Sequence, residues 1–105
     1  MATQLENQSE LLTREPKQFA VFMLNDDYTT WEFCIRIINT VFHKSVLEAD
    51  AITHDIHTKG KGLCGIYNYE IAETKASLVQ QQARKEGFPM CCSIQITPLW
   101  VNLHF

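Results

Sequence analysis

Residues 19–42 read FAVFMLNDDYTTWEFCIRIINTVF, and the change of rhythm inside this stretch decides the fold. Phe19, Ala20, Val21, Phe22, Met23 and Leu24 form an unbroken apolar run of strand length, closed by the polar cluster Asn25, Asp26, Asp27. That is the pattern of a buried strand bounded by turn residues. After the turn the period lengthens. Thr29 stands three residues before Glu32, the spacing of a capping box, in which hydroxyl and carboxylate satisfy orphan backbone N–H groups reciprocally. The spacing predicts a helix beginning at Thr30. Trp31, Cys34, Ile35, Ile38, Val41 and Phe42 recur at helical spacing as one buried face, leaving Glu32, Arg36, Asn39 and Thr40 outward.

Ser45 and Glu48 repeat the capping device and predict a second helix over 46–58. Ala49, Ile52, Thr53 and Ile56 line one of its faces, while Leu47 and Ala51 sit off it, so burial on more than one side is expected. Gly60 supplies a left-handed cap. Residues 62–67, GLCGIY, read as a short strand, and Asn68 as the N-cap of a third helix reaching Glu86, acidic at its start (Glu70, Glu73) and basic at its end (Lys85). Gly87 ends that helix, Pro89 blocks continuation, and Met90 to Thr97 forms the last strand, with Ser93, Gln95 and Thr97 alternating against Cys92, Ile94 and Ile96. The order is βααβαβ, an α+β class in which a three-stranded antiparallel sheet packs against three helices.

A chain of 105 residues accommodates one domain and short flanking segments. Residues 1–16, polar and net acidic, read as a flexible N-terminal extension, 17–97 as the core domain, and 98–105, PLWVNLHF, as an apolar tail that packs on the domain or meets a partner. With 46% hydrophobic and 20% charged residues the chain is ordinary globular material. A net charge of −3 and basic residues gathered only as Lys59 with Lys61 and Arg84 with Lys85 argue against nucleic acid. The longest apolar run, residues 19–24, falls far short of the roughly 18 to 20 residues a membrane span needs. The N-terminal stretch MATQLENQSELLTREP has neither a basic start nor an apolar segment of signal-peptide length, so a cytoplasmic protein is expected. Cys34, Cys64, Cys91 and Cys92 lack C-x-x-C spacing and read as buried free thiols.

Three motifs compete for chemistry. Gly60, Gly62 and Gly65 spell G-x-G-x-x-G, but they follow a helix and open a strand, so no helix N-terminus is offered to a phosphate and no dinucleotide cofactor is expected. His54 and His57 are three apart on the second helix; with Asp26 or Asp27 they allow an alternative, a small metal-dependent hydrolase, although the usual helical zinc pair is four apart beside a Glu. No glycine-flanked serine announces a nucleophile elbow. The run from Asn25 to Thr29 gathers acceptors at a strand exit, which a turn with an Asx cap explains by itself.

Other blocks join that run. NDDYTTWEF (25–33), then the segment ending at His57, then GKGLCGIYNYEIAETK (60–75) and Pro89 resemble, in order, the blocks of the ClpS adaptor family of the bacterial Clp protease, over about Lys17 to Ser93. The resemblance implies a non-enzymatic adaptor with no cofactor. It implies binding of proteins bearing a large hydrophobic N-terminal residue (Leu, Phe, Tyr or Trp) and their delivery to a ClpA-type AAA+ unfoldase.

An α-amino group, with a pKa of about 7.7 to 8.0, is mostly a three-donor ammonium at neutral pH and needs acceptors. By resemblance Asn25 offers its side-chain oxygen, Asp26 its negative charge and neutral His57 a ring nitrogen, while Asp27 and Thr29 secure the first peptide units. Protonated His57 would set like charge against the ammonium, so affinity should weaken between about pH 8 and about pH 5.5. Matching positions make Trp31, Cys34, Thr53, Ile56 and Met90 the pocket lining, whose burial of one apolar side chain is worth roughly 1.5 to 3 kcal/mol. Trp31 and Thr53 depart from the family, many of whose members carry Met at both places; loss of bulk at Thr53 should alter exclusion of β-branched residues, and Trp31 should stack on aromatic ones. Glu70 and Lys75 match the positions that dock on the unfoldase N-terminal domain. The remaining alternative, a purely structural interaction domain, would use the apolar C-terminal segment.

Overall fold

In the computed structural model, residues 17–97 are described, and they form β1 (Gln18–Leu24), α1 (Trp31–Val41), α2 (Val46–Lys59), β2 (Lys61–Tyr67), α3 (Tyr69–Lys85) and β3 (Cys92–Thr97). The expected N-terminal extension and C-terminal tail lie outside the described residues. β1 is the central strand of an antiparallel sheet ordered β2-β1-β3, as the apolar run requires of the strand with neighbours on both sides. Phe19 pairs with Tyr67 and Val21 with Gly65, but Phe22 pairs with Leu63, so Cys64 is the extra residue of a β-bulge. A bulge turns neighbouring side chains locally, and Cys64 is fully buried.

The three helices supply the rest of one core: Val21 and Met23 of β1 meet Phe33, Ile37 and Ile38 of α1, Ala49 and Ile56 of α2, and Ala72, Ala76, Val79 and Ala83 of α3. The alanine stripe lets α3 approach closely. α2 begins with the full capping box, Ser45 Oγ accepting from the Glu48 N–H and Glu48 accepting from the Ser45 N–H, and ends at Gly60 with φ of 89°. Gly62 has a different duty. A Cβ there would lie 2.7 Å from both the Ile52 carbonyl oxygen and Ile56 Cγ1, so the missing side chain is what allows α2 to pack against β2. Asn68 caps α3 through the Ile71 N–H, as the sequence predicts.

Four expectations need correction. The cap of α1 is Thr30, whose hydroxyl accepts from the Phe33 N–H; Thr29 is buried and donates its hydroxyl to Asp26 instead. The buried face of α1 is rotated, taking in Phe33 and Ile37, and leaving Trp31, Ile35 and Val41 partly exposed, because Phe33 also packs on Phe88 (ring centroids 5.2 Å apart) beyond α3. α2 buries one side only: Leu47 is 82% exposed, since among the described residues α2 packs mainly on α1 and β2. Finally, Cys91 is exposed, and β3 begins at Cys92 because Arg84 draws the carbonyls of Phe88 and Met90 toward α3 (2.8 and 3.0 Å). All four cysteines are free thiols, and burial pushes Cys34 up to about 11 and Cys92 to about 12.

Candidate functional site

The exit of β1 is pinned from two sides. The Leu24 N–H donates to the Cys91 carbonyl (3.0 Å) and the Asn25 N–H to the Gly60 carbonyl (2.9 Å). The first bond sets the strand exit beside Met90; the second sets it against the C-terminal end of α2, the turn that follows His57. Asn25 is exposed there, as are Asp27 and Tyr28.

Asp26 then closes the turn on itself. Its Oδ1 accepts from the Tyr28 N–H (2.8 Å) and the Thr29 N–H (2.7 Å), and its Oδ2 from the Thr29 hydroxyl (2.6 Å). Burial opposes the charge, but the Thr29 hydroxyl, the two N–H donors and the field of Arg84 outweigh it and hold the carboxyl below the usual range. A carboxylate has about four acceptor sites. Three are engaged inside the turn, leaving one on Oδ2 and the full negative charge for a cationic group outside.

Trp31 bridges α1 and α2. It is the first residue of α1, 37% exposed, and its indole N–H donates to Asp50 Oδ1 on α2 (2.9 Å). The ring lies 4.8 Å from the His57 ring, tilted by 58°, and 6.0 Å from that of His54. Cys34 of α1, Thr53 and Ile56 of α2, and Met90 ahead of β3 are all buried. The Thr53 hydroxyl is satisfied within its own helix, donating to the Ala49 carbonyl (2.7 Å). Asp26 adds to the upward push on the Cys34 thiol, so the acidic turn and that buried thiol share one electrostatic neighbourhood.

Of the residues singled out from sequence, Asn25, Asp26, Asp27 and Thr29 share the turn at the strand exit, Asp26 lies in the electrostatic neighbourhood of Cys34, Trp31 meets His57 across the α1–α2 seam, and Thr53, Ile56 and Met90 are buried. Glu70 and Lys75 lie on α3. Glu70 is exposed in the first turn of α3, and Lys75 donates to the Val41 carbonyl (2.6 Å) over the Tyr67 and Phe42 rings. His54 and His57 share the indole as neighbour, and among the described residues no three His, Cys, Asp or Glu side chains are placed to hold a metal. A groove of about 490 Å³ along the α2–β2 seam, lined by residues such as Lys44, Ile52 and Leu63, lies outside this site. A second cavity of about 500 Å³ adjoins the turn between Tyr28, Arg84 and Pro89.

Two residues of the neighbourhood escape sequence reasoning. Arg84 fixes the backbone that presents Met90, and only its place near a helix end before Gly87 and Pro89 hinted at a brace. Asp50 is seven residues before His57, two helical turns along the same face, a spacing that carries meaning only once Trp31 is known to lie across it.

An antiparallel three-stranded sheet backed by three helices, with a carboxylate-centred turn tied to the end of α2, defines a small α+β domain with a polar turn at the exit of its central strand. The chain belongs to the family of ATP-dependent Clp protease adaptor proteins ClpS, whose model matches residues 14–93. It is 48% identical over 88 residues to the ATP-dependent Clp protease adapter protein ClpS of Helicobacter hepaticus, covering 84% of this chain and 89% of that protein. The counterpart from Wolinella succinogenes is 41% identical over 85 residues, 81% of this chain and 83% of the relative. Among solved structures, Agrobacterium tumefaciens ClpS2 bound to L-phenylalaninamide superposes with a TM-score of 0.76 at 30% identity, covering 79% of this chain and 100% of that one. The chain is thus a Clp protease adaptor. Among the described residues no helix is long and apolar enough to cross a membrane.

Proposed function

We propose that this adaptor captures proteins by a large hydrophobic N-terminal residue and its free α-amino group, and delivers them to a ClpA-type AAA+ unfoldase in the cytoplasm. The observation that carries the reading is the pinning of the Asn25–Asp26 turn against the His57 end of α2 by the 2.9 Å Asn25-to-Gly60 bond. It ties the turn that carries the amide and the carboxylate to the end of the helix that carries the imidazole. The ammonium is met by Asn25, by neutral His57, and by the charge and remaining lone pair of Asp26, directly or through one water. Asp27 and Thr29 border the path of the first peptide units. Trp31, Cys34, Thr53, Ile56 and Met90 receive the first side chain. A structure at 30% identity bound to L-phenylalaninamide, which carries a free α-amino group, an aromatic side chain and an uncharged carboxamide, supports the same ligand chemistry here.

Docking on the unfoldase is assigned to the α3 side, through exposed Glu70 and through Lys75. Lys75 also ties α3 to the end of α1 by its bond to the Val41 carbonyl, so Lys75→Ala should lower stability as well as docking, whereas Glu70→Ala should affect docking alone.

The test is fluorescence anisotropy with labelled peptides beginning with Phe, Leu, Ile or Met, each with a free and an acetylated N-terminus, against wild type and Asp26→Ala. Binding of Phe and Leu peptides that disappears on acetylation and in the variant is expected. Equal binding of acetylated peptides, or none at all, would overturn the proposal.

A further inference from the structure

We propose that Asp50 is a positioning residue of the recognition pocket: its carboxylate holds the Trp31 indole in one orientation, and that fixed ring sets which first side chains enter. The inference rests on the function proposed above, and it concerns a residue outside the ammonium-binding set and outside the buried floor.

A tryptophan at the first position of a helix, with over a third of its surface in water, has two side-chain torsions and little packing to restrict them. Its only polar atom is the indole N–H, a donor with no acceptor capacity. That donor is taken by Asp50 Oδ1 at 2.9 Å, a bond to a charged acceptor and hence among the stronger and more directional kinds. The bond joins α1 to α2 across their seam. The same ring rests against His57 (4.8 Å) and approaches His54 (6.0 Å), so three residues on one face of α2, Asp50, His54 and His57, hold a single side chain of α1.

In the pocket proposed above from Cys34, Thr53, Ile56 and Met90, a pinned indole is a ready-made wall. No rotor has to be ordered when a ligand arrives, which is where pre-organisation gains affinity. The wall is also selective. A planar aromatic side chain pairs with an indole in offset or edge-to-face geometry, beyond simple area burial, while a branched aliphatic chain gains area alone. Releasing the ring widens the mouth and lets it adapt to either, which lowers discrimination more than affinity.

The experiment uses the full chain. Affinities for Phe-, Leu- and Ile-initiated peptides with free N-termini are compared for wild type, Asp50→Ala, Asp50→Asn, Trp31→Phe and the Trp31→Phe/Asp50→Ala double variant. Asp50→Ala should reduce the Phe-over-Leu ratio by about two- to fivefold, the scale of one net hydrogen bond at a partly exposed site. Asp50→Asn, which keeps an oxygen acceptor, should restore most of it. In the Trp31→Phe background Asp50→Ala should add nothing, because the donor is gone. A second readout isolates the ring: in a Trp100→Phe chain, whose single indole is Trp31, near-UV circular dichroism should fall in Asp50→Ala while far-UV signal and Tm hold. An unchanged peptide ranking, or an equal effect of Asp50→Ala with and without the indole, would overturn the inference while leaving amino-terminal recognition intact. A wild-type chain that binds none of the free-amino peptides would instead overturn the recognition reading and the selectivity role with it.

Discussion

Asp26 is charged by its own turn before any ligand arrives, since Thr29 and Tyr28 between them give it three hydrogen bonds. Thr29→Val keeps the shape and removes one donor. The sign follows from linkage: a carboxyl held below its unfolded value contributes stability that is present above that value and is lost as pH falls through the folded one. Losing the hydroxyl should therefore move the Asp26 titration up toward the ordinary carboxylate range, read by NMR of its side-chain carboxyl, and weaken Phe-peptide binding severalfold; a titration identical to wild type would show that the hydroxyl does not hold the charge. His57 gives a second prediction at this scale. As an acceptor for the α-amino group it should carry part of the Phe-peptide affinity, so His57→Ala should bind severalfold more weakly than wild type while leaving Tm unchanged. A variant with wild-type affinity would take the histidine out of the site.

At the scale of elements, what was legible in the sequence was local. The β1 run, the Ser45–Glu48 box, the left-handed Gly60 and the Asn68 cap each depend on residues within one turn of each other, and each stands where pattern places it. The start of α1 was misplaced by one residue because Thr29 and Thr30 both satisfy the local rule; the choice falls to Asp26, which takes the Thr29 hydroxyl for its own turn. Thr30→Ala should thus cost about 1 kcal/mol of stability in urea titration, and a neutral effect would deny its capping role. Gly62 stands in the sequence as one member of a glycine motif, yet its reason is tertiary. Gly62→Ala places a methyl 2.7 Å from the Ile52 carbonyl and Ile56 Cγ1, and the forced shift of α2 from β2 should cost about 1 to 3 kcal/mol. Because α2 carries Asp50, Thr53, Ile56 and His57, peptide affinity should fall in parallel.

Across the whole molecule the ties that assemble the site join residues far apart in the chain, which is why periodicity and capping rules are silent about them. Trp31 reaches Asp50, the Leu24 N–H reaches the Cys91 carbonyl, the Asn25 N–H reaches the Gly60 carbonyl, and Arg36 of α1 grips Glu86 beyond α3 through two hydrogen bonds of 2.9 and 2.5 Å. This last pair sets an acid limit on the fold. Bonds from Arg36 and Gln82 bring the Glu86 carboxyl down to about 2, and Asp26 is shifted in the same direction by its turn. Both groups sit below their unfolded values, so the contribution of each is complete above the ordinary carboxylate range of about 4 and is withdrawn on the acid side, for Glu86 as pH falls toward about 2. Because Arg36 and Glu86 are screened by solvent, urea midpoints should fall modestly between pH 5 and pH 2.5, and neither carboxylate should add slope between pH 6 and pH 8. Arg36→Ala should shrink the acid-side drop and leave the Asp26 share. A variant with the full wild-type drop would show that the α1–α3 tie carries no linkage and that the acid limit belongs to the turn alone.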